Sequence, residues 1–174
     1  MTDWQAVVGR HRQRVWCTAY RMLGNRPDAA DCFQETFLAA LELSRREPVR
    51  NWSALLTHLV VRRALSRLRQ RLRHTGRHAE LADWATVVSH NPGPVQEAEA
   101  AELSARLRQA VAHLPPTQAE AFCLRCLNEL SYKDIARRLG VKTSTVGVLL
   151  HRARQRLREL LEPAVSQREP EVMQ

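Results

Sequence analysis

Between Arg45 and Arg77 the chain carries ten arginines and a single acid, Glu47. A guanidinium is a planar fork of hydrogen-bond donors that matches phosphate oxygens, so such a run is suited to holding a polyanion. A second basic set, Lys142 with Arg152, Arg154, Arg156 and Arg158, lies near the C-terminus. Three consecutive hydroxyls, Thr143, Ser144 and Thr145, stand inside it. The acids gather elsewhere, at Asp28, Asp31, Glu35 and Glu42, and again at Glu97, Glu99 and Glu102. The formal charge of +9 is therefore sorted into zones. It favours nucleic acid or an anionic membrane face as partner.

Residues able to break bonds are harder to find. There is no glycine-rich phosphate loop, nucleophile elbow or paired metal-ligand motif, so neither an enzyme nor a cofactor or metal site is expected. Cys123 and Cys126 have the spacing of a redox or zinc pair, yet no second cysteine pair or spaced histidine pair follows. Both fall within one helical pattern, and the reading adopted is that they pack as small apolar side chains. Four cysteines in all do not make a disulfide framework. The N-terminus lacks an apolar signal core, and no apolar run has membrane-spanning length. Cytoplasmic location without membrane insertion is the expectation.

The elements that must position these groups read as helices throughout. Apolar residues recur at helical spacing over 4–23, through Val7, Val15, Ala19 and Leu23. After the turn at "GNRPD", with Asp28 as expected N-cap, a second helix carries a stripe of Cys32, Phe33, Phe37, Leu38 and Leu41. Its other face shows Asp31, Gln34, Glu35 and Glu42. Residues 52–73 form one long helix with leucines 55, 59, 65, 68 and 72 flanked by arginines. Periodicity fades from Thr75 to about Gln96, where "HNPGP" breaks any helix; a short helix near Trp84 is the one element expected there. A helix from about Glu97 ends at Pro115–Pro116, and Thr117 with Glu120 forms a capping-box pattern for the next. Ser131 with Asp134 repeats that device.

Residues 131–161 carry a more specific pattern. Ala136 is small enough for two helices to cross closely. Gly140 tolerates the positive φ of a sharp turn, and Val146 locks the second helix onto the first, with Ile135, Leu139 and Leu149 completing a small core. This is the spacing of a DNA-binding helix-turn-helix. Lys142, Thr143, Ser144 and Thr145 would open the recognition helix into the major groove, with His151, Arg152 and Arg154 reaching backbone further along. An ordinary helical hairpin with a glycine cap is the plainer alternative.

Taken together, three segments resemble those of the extracytoplasmic-function (group 4) sigma factors of bacterial RNA polymerase, over about residues 5–162. "DAADCFQETF" resembles their polymerase-binding segment, "NWSALLTHLVVRRALSRLRQR" their promoter-melting helix, and the segment from Ala110 to Leu160 their second DNA-binding domain. The resemblance implies an all-α fold of two small helical domains joined by a flexible linker. Residues 1–74 would bind core polymerase and the minus-10 element, 75–96 would be the linker, 97–163 would be the helix-turn-helix domain for the minus-35 element, and 164–174 a disordered tail. Asp31, Gln34, Glu35, Thr36 and Leu38 would dock on core RNA polymerase. Arg62, Arg63, Arg67, Arg69 and Arg73 would hold promoter DNA at minus-10. Trp52 fits either a stacking wedge or a core side chain. At minus-35 the contacts would be Lys142, Thr143, Ser144, Thr145, His151, Arg152 and Arg154. An anti-sigma factor is a further candidate partner. Fully extended, a linker of about 22 residues reaches about 70–80 Å, enough for two turns of B-DNA.

Two departures from the family pattern stand out. Arg62 and Ser66 replace an Asn and an Asp of the melting helix, and Gly147, Val148 and Leu149 replace polar or basic residues of the recognition helix. A dimeric helix-turn-helix regulator working without polymerase, or a polymerase-binding adaptor with weak DNA readout, are the competing readings. The regulator leaves the acidic face and the arginine-rich helix without a role, whereas the altered residues at 147–149 keep the adaptor reading open.

Overall fold

The structure, a computed structural model, describes residues 3–75 and 94–162. They form α1 (Trp4–Leu23), α2 (Arg26–Arg46), α3 (Trp52–Thr75), α4 (Pro94–His113), α5 (Pro116–Cys126), α6 (Tyr132–Leu139) and α7 (Thr143–Leu161). No strand occurs among the described residues, so the all-α expectation holds. The tail expected at 164–174, the helix expected near Trp84 and most of the expected linker lie outside the described residues.

Helices α1 to α3 pack as one unit. Asp3 caps α1 by accepting the Ala6 N–H at 3.1 Å, and Gly24 ends it at φ 75° with its N–H on the Tyr20 carbonyl at 2.8 Å. The next cap is Asn25, not Asp28: its Oδ1 accepts the Asp28 N–H at 2.9 Å. The helix thus begins at Arg26 and takes Pro27 into its first turn, where the missing proline N–H would have no helical partner anyway. The buried face of α2 also differs from the expected stripe. Ala29, Cys32, Thr36, Ala39 and Ala40 are buried, and these small side chains let α2 lie close to α1 and α3. Phe33 and Phe37 sit half-buried at the edge, their rings 4.9 Å apart, with Trp16 set edge-on to Phe33. Leu38 faces outward and is 59% exposed. On α3 the buried line runs through Leu56, Val60, Val61, Ala64, Leu65 and Leu68. Leu55, Leu59 and Leu72, which the sequence put on that line, are only partly buried.

The second unit is built on its turns. Helix α4 begins at Pro94, earlier than the expected Glu97, because a proline is favourable within a first turn. The capping box foreseen for α5 does not form: Pro115 occupies the N-cap with no side-chain cap bond, which releases Glu120. The second device does form. Asp134 donates its N–H to Ser131 Oγ at 3.1 Å, and the Ser131 hydroxyl donates to Asp134 Oδ2 at 2.6 Å. That hydrogen bond lowers the Asp134 pKa below its ordinary value against an opposing desolvation, with further help from Arg137, Arg138 and Lys133. The anionic side chain sits in the positive first turn of α6, where it is favourable.

Helix α6 stops at Gly140, whose φ of 66° lies in the left-handed region. Val141 donates to the Ala136 carbonyl at 3.1 Å, which completes a Schellman turn. Ile135 and Ala136 of α6 meet Val146, Leu150 and Ala153 of α7 in a buried contact. The lock is therefore as expected at Val146, but Leu150 and not Leu149 fills its centre. Adjacent leucines differ by 100° around a helix, and only one of them can face inward.

The paired cysteines separate in the same way. Cys123 is buried and its thiol is pushed up to about 12, chiefly by burial, whereas Cys126 is exposed; the expectation that both pack inside is corrected for Cys126. Cys32 is buried, and burial pushes its thiol up to about 11, while Cys17 is exposed. A disulfide-exchange reagent should therefore titrate two thiols in the native protein, Cys17 and Cys126, and the other two only after denaturation. Mass spectrometry of the labelled peptides identifies which two react.

The two units meet along a seam. A continuous apolar cluster includes Leu56 and Val60 of the first with Leu114, Ala121 and Leu124 of the second. Polar bonds flank it. The Thr18 hydroxyl donates to Asn128 Oδ1 at 3.1 Å, Arg69 donates to the Leu114 carbonyl at 3.2 Å, and Arg108 donates to the Arg21 carbonyl at 3.2 Å.

Candidate functional site

Helix α3 sets most of the expected minus-10 arginines on its flanks, because its buried line occupies the positions between them. The structure brings these arginines into three different environments. Arg63 and Arg67 face α2: Arg63 reaches Glu35 at 3.3 Å, and Arg67 pairs with Glu35, with Asp31 at 3.6 Å and with Asp28 at 3.9 Å. Arg71, which sequence reasoning did not single out, pairs with Asp28 and donates to the Leu23 carbonyl at 3.0 Å. Arg62 and Arg69 turn toward the second unit, Arg62 to Glu120 at 3.4 Å and Arg69 to the Leu114 carbonyl. Arg73, near the end of α3, is exposed.

Carboxylates expected to touch a protein partner and guanidiniums expected to touch DNA are thus joined in one ladder between α2 and α3. A signal for it was present in the sequence. Asp28, Asp31 and Glu35 rise at helical spacing, as do Arg63, Arg67 and Arg71. Two such rows on packed helices can zip together. Because Asp31 is 63% exposed, and exposed pairs contribute little, the ladder rests mainly on the part-buried Arg67 and Arg71 with Glu35 and Asp28.

The acidic face of α2 keeps Gln34 and Leu38 exposed, with Asp31 beside them. Thr36, expected on that face, is instead buried, and its hydroxyl donates to the Cys32 carbonyl at 2.7 Å. A threonine can satisfy its hydroxyl within its own helix in this way and so pass for a core residue. Trp52 is half-buried and packs edge-on against Trp4, with ring centroids 5.0 Å apart.

The recognition helix is two-faced. Val146, Leu150, Ala153 and Leu157 are buried, and Ser144, Val148, His151, Arg152 and Gln155 form the exposed side. Lys142 is the N-cap and makes no side-chain cap bond, so the first turn offers backbone N–H groups without competition from its own cap. Of the three unusual residues at 147–149, only Val148 is exposed, at 48%. Gly147 lies beside Tyr132 of α6, where a Cβ would meet the ring at 3.9 Å, an ordinary contact. Leu149 packs at the core edge. Tyr132 in turn carries Arg125 over its ring, 5.6 Å from the centroid, a cation–π contact that fixes α6 to the end of α5.

No group of three or more possible metal ligands occurs among the described residues. Within the same limits, no helix is long and apolar enough to cross a membrane.

Comparison with known proteins gives a consistent result. Residues 7–74 match the family model described as Sigma-70 region 2, and residues 104–157 match Sigma-70, region 4. The chain is 34% identical over 161 residues to the ECF RNA polymerase sigma factor SigE of Mycolicibacterium smegmatis, covering 92% of this chain and 62% of that one. It is 30% identical over 156 residues to the RNA polymerase sigma factor CarQ of Myxococcus xanthus, covering 89% and 87%. It is 26% identical over 162 residues to the ECF RNA polymerase sigma factor SigW of Bacillus subtilis, with the same two shares. Among solved structures, the sigma factor RpoE of Bartonella quintana, in complex with the anti-sigma factor NepR, has the same fold. The TM-score is 0.59 at 22% identity, over 94% of this chain and 99% of that one. CnrH, in complex with the cytosolic domain of CnrY, gives 0.56 at 22% identity, over 90% and 86%. With both regions matched in order on an all-helical chain, this protein belongs to the extracytoplasmic-function family of RNA polymerase sigma factors.

Proposed function

We propose that the chain docks on core RNA polymerase through the exposed side of α2, holds promoter DNA near minus-10 with α3, and reads the minus-35 element with α7. In residue terms, 1–74 would carry the first two tasks and 97–163 the third, with 75–96 between them and 164–174 as a tail. The protein would act in the cytoplasm, where the enzyme it serves is found, and an anti-sigma factor would be a natural partner for the same surfaces.

The observation that carries this reading is the division of α7. Its inner face is fixed to α6 by Val146 and Leu150, and its outer face holds hydroxyls at the entry and basic residues beyond. That order suits a helix entering the major groove end-first, with phosphates gripped behind the base edges. Val148 adds an apolar side chain to the outer face, and an apolar side chain meets a thymine methyl group favourably. Readout at that position would then rest on methyl contact where the family pattern has a polar or basic side chain.

The direct test is transcription in vitro from genomic fragments, with core enzyme alone and with the protein added. Initiation that appears only with both components supports the reading. Duplex binding by a polymerase-free dimer, with no initiation, would establish the regulator alternative in its place.

A further inference from the structure

Arg108 is a charge without a carboxylate. It stands half-buried on α4, and its Nε–H donates to the Arg21 carbonyl at 3.2 Å. Its Nη1 is buried and has no hydrogen-bond partner. Among the described residues, no acid lies within ion-pair distance of it. Sheltered arginines are ordinarily paired, because taking a charge out of water alone is costly. A buried donor left over in a native fold calls for an ion or an ordered water.

The surroundings sharpen that demand. Arg71 on α3 is also half-buried; it pairs with Asp28 and donates to the Leu23 carbonyl at 3.0 Å. Burial lowers the Arg71 pKa, and the charge of Arg108 lowers it further. Burial lowers that of Arg108 as well, opposed by Tyr20. Asp28, the carboxylate of this corner, is engaged by Arg71 and by Arg67 at 3.9 Å. Gly24 allows the close approach. It ends α1 at φ 75°, and a Cβ on it would stand 2.6 Å from Arg108 Cζ and 2.8 Å from Nη1. The guanidinium thus lies against bare backbone where α1 turns into α2, and a side chain there would push it away.

A second like-charge pair provides a contrast. Arg138 of α6 also has a buried Nη1 without a partner, and burial lowers its pKa with help from Arg14. Asp134, one turn away on the same helix, opposes that lowering. Arg108 has no such neighbour.

We infer that Arg108 and Arg71, with the turn at Gly24, form a binding site for a small phosphoryl oxyanion, held between α3 and α4 at the end of α1. Two guanidinium forks carried by different helices approach from different directions. A tetrahedral anion offers oxygens to both, whereas a planar carboxylate matches one fork. The anion accepts from Nη1 and offsets the repulsion between the two cations. Free orthophosphate and the phosphate end of a nucleotide present the same chemistry. None of the residues assigned to polymerase or promoter contacts belongs to this site, so the inference stands or falls apart from those assignments.

Thermal unfolding gives the test. With the full chain in about 10 mM phosphate, against chloride of equal ionic strength, the melting temperature should rise by about 3 °C or more, as for a ligand at about ten times its Kd. Arg108→Gln keeps a donor for the Arg21 carbonyl and removes the charge. In that variant the rise should shrink below about 1 °C, with helical content unchanged. Phosphorus NMR should show saturable broadening of orthophosphate by the unaltered protein, with half-saturation raised about tenfold or more by the substitution. An equal rise in both proteins overturns the site, because phosphate excluded from protein surfaces strengthens any fold. No rise in either overturns it too. Formate as effective as phosphate overturns the tetrahedral assignment. A nucleoside triphosphate that binds about tenfold or more tighter than orthophosphate supports the site and identifies a nucleotide as its ligand. Equal binding supports it with the phosphoryl group alone as the part recognised. Should Arg108→Gln not fold, Arg108→Lys decides, since it keeps the cation and loses the fork: a rise as large as in the unaltered protein overturns the site.

Discussion

Replacing Leu38 with aspartate should reduce affinity for core RNA polymerase by about 30-fold or more while leaving the protein folded. Leu38 is 59% exposed on α2, and exposed substitutions of this kind usually change stability by less than about 0.5 kcal/mol. As the apolar centre of a face otherwise made of Asp31, Gln34 and Glu35, it has the character of an interface anchor inside a polar rim. Truncating an anchor of that type costs about 2 kcal/mol or more, and each 1.4 kcal/mol is about tenfold. A titration of fluorescent protein with core enzyme measures the loss. A change under about threefold in a well-folded variant would move the docking surface elsewhere on the molecule. Glu35→Lys is a poorer probe, although the sequence alone suggests it. Glu35 is already bonded to Arg63 and Arg67, and a lysine there would disturb the α2–α3 ladder as well as any partner.

The second large effect concerns the recognition helix. Leu150→Ala should lower the unfolding free energy by about 2–5 kcal/mol, the usual range for a leucine removed from a closed core. Against the roughly 5–15 kcal/mol that stabilises a typical domain, this is enough to unseat α7 from α6 and to abolish any readout of duplex DNA by its outer face. Leu149→Ala should cost clearly less, since Leu149 lies at the edge of the core and Leu150 at its centre. Denaturant unfolding of the two variants decides the matter. Equal costs, or a larger one at Leu149, would mean that α7 is rotated about its axis relative to this structure.

These two leucines show what the sequence made legible. Where a single residue type was compelled by geometry, as at Gly140, Ala136 and Val146, the sequence located the turn, the crossing and the lock correctly. Helix identities were equally clear, because apolar residues recurred at 3.6-residue spacing and caps or prolines punctuated the ends. Rotation of a helix about its axis was not. On α2 the eye follows Phe33, Phe37 and Leu38, yet the tightest contact is made by alanines, Cys32 and Thr36, since close approach selects small side chains. Thr36 could not be removed from the candidate docking residues until its hydroxyl was seen on the Cys32 carbonyl. Partners distant in sequence were the least legible. A Thr-x-x-Glu spacing states that Glu120 is able to cap its own helix, but it cannot state that Arg62, 58 positions earlier, offers a better partner.

The ladder between α2 and α3 changes what the arginine count means. A guanidinium already balanced by a carboxylate of its own chain displaces fewer condensed counterions from a nucleic-acid strand. Arg63 and Arg67 are balanced in that way. The long helix therefore presents less net charge to a strand than its composition advertises, and its hold should depend less steeply on ionic strength than a tally of arginines implies. Those same residues gain a different use: they tie α2 to α3, so that under the proposed docking a load placed on α2 would pass to α3 without slack.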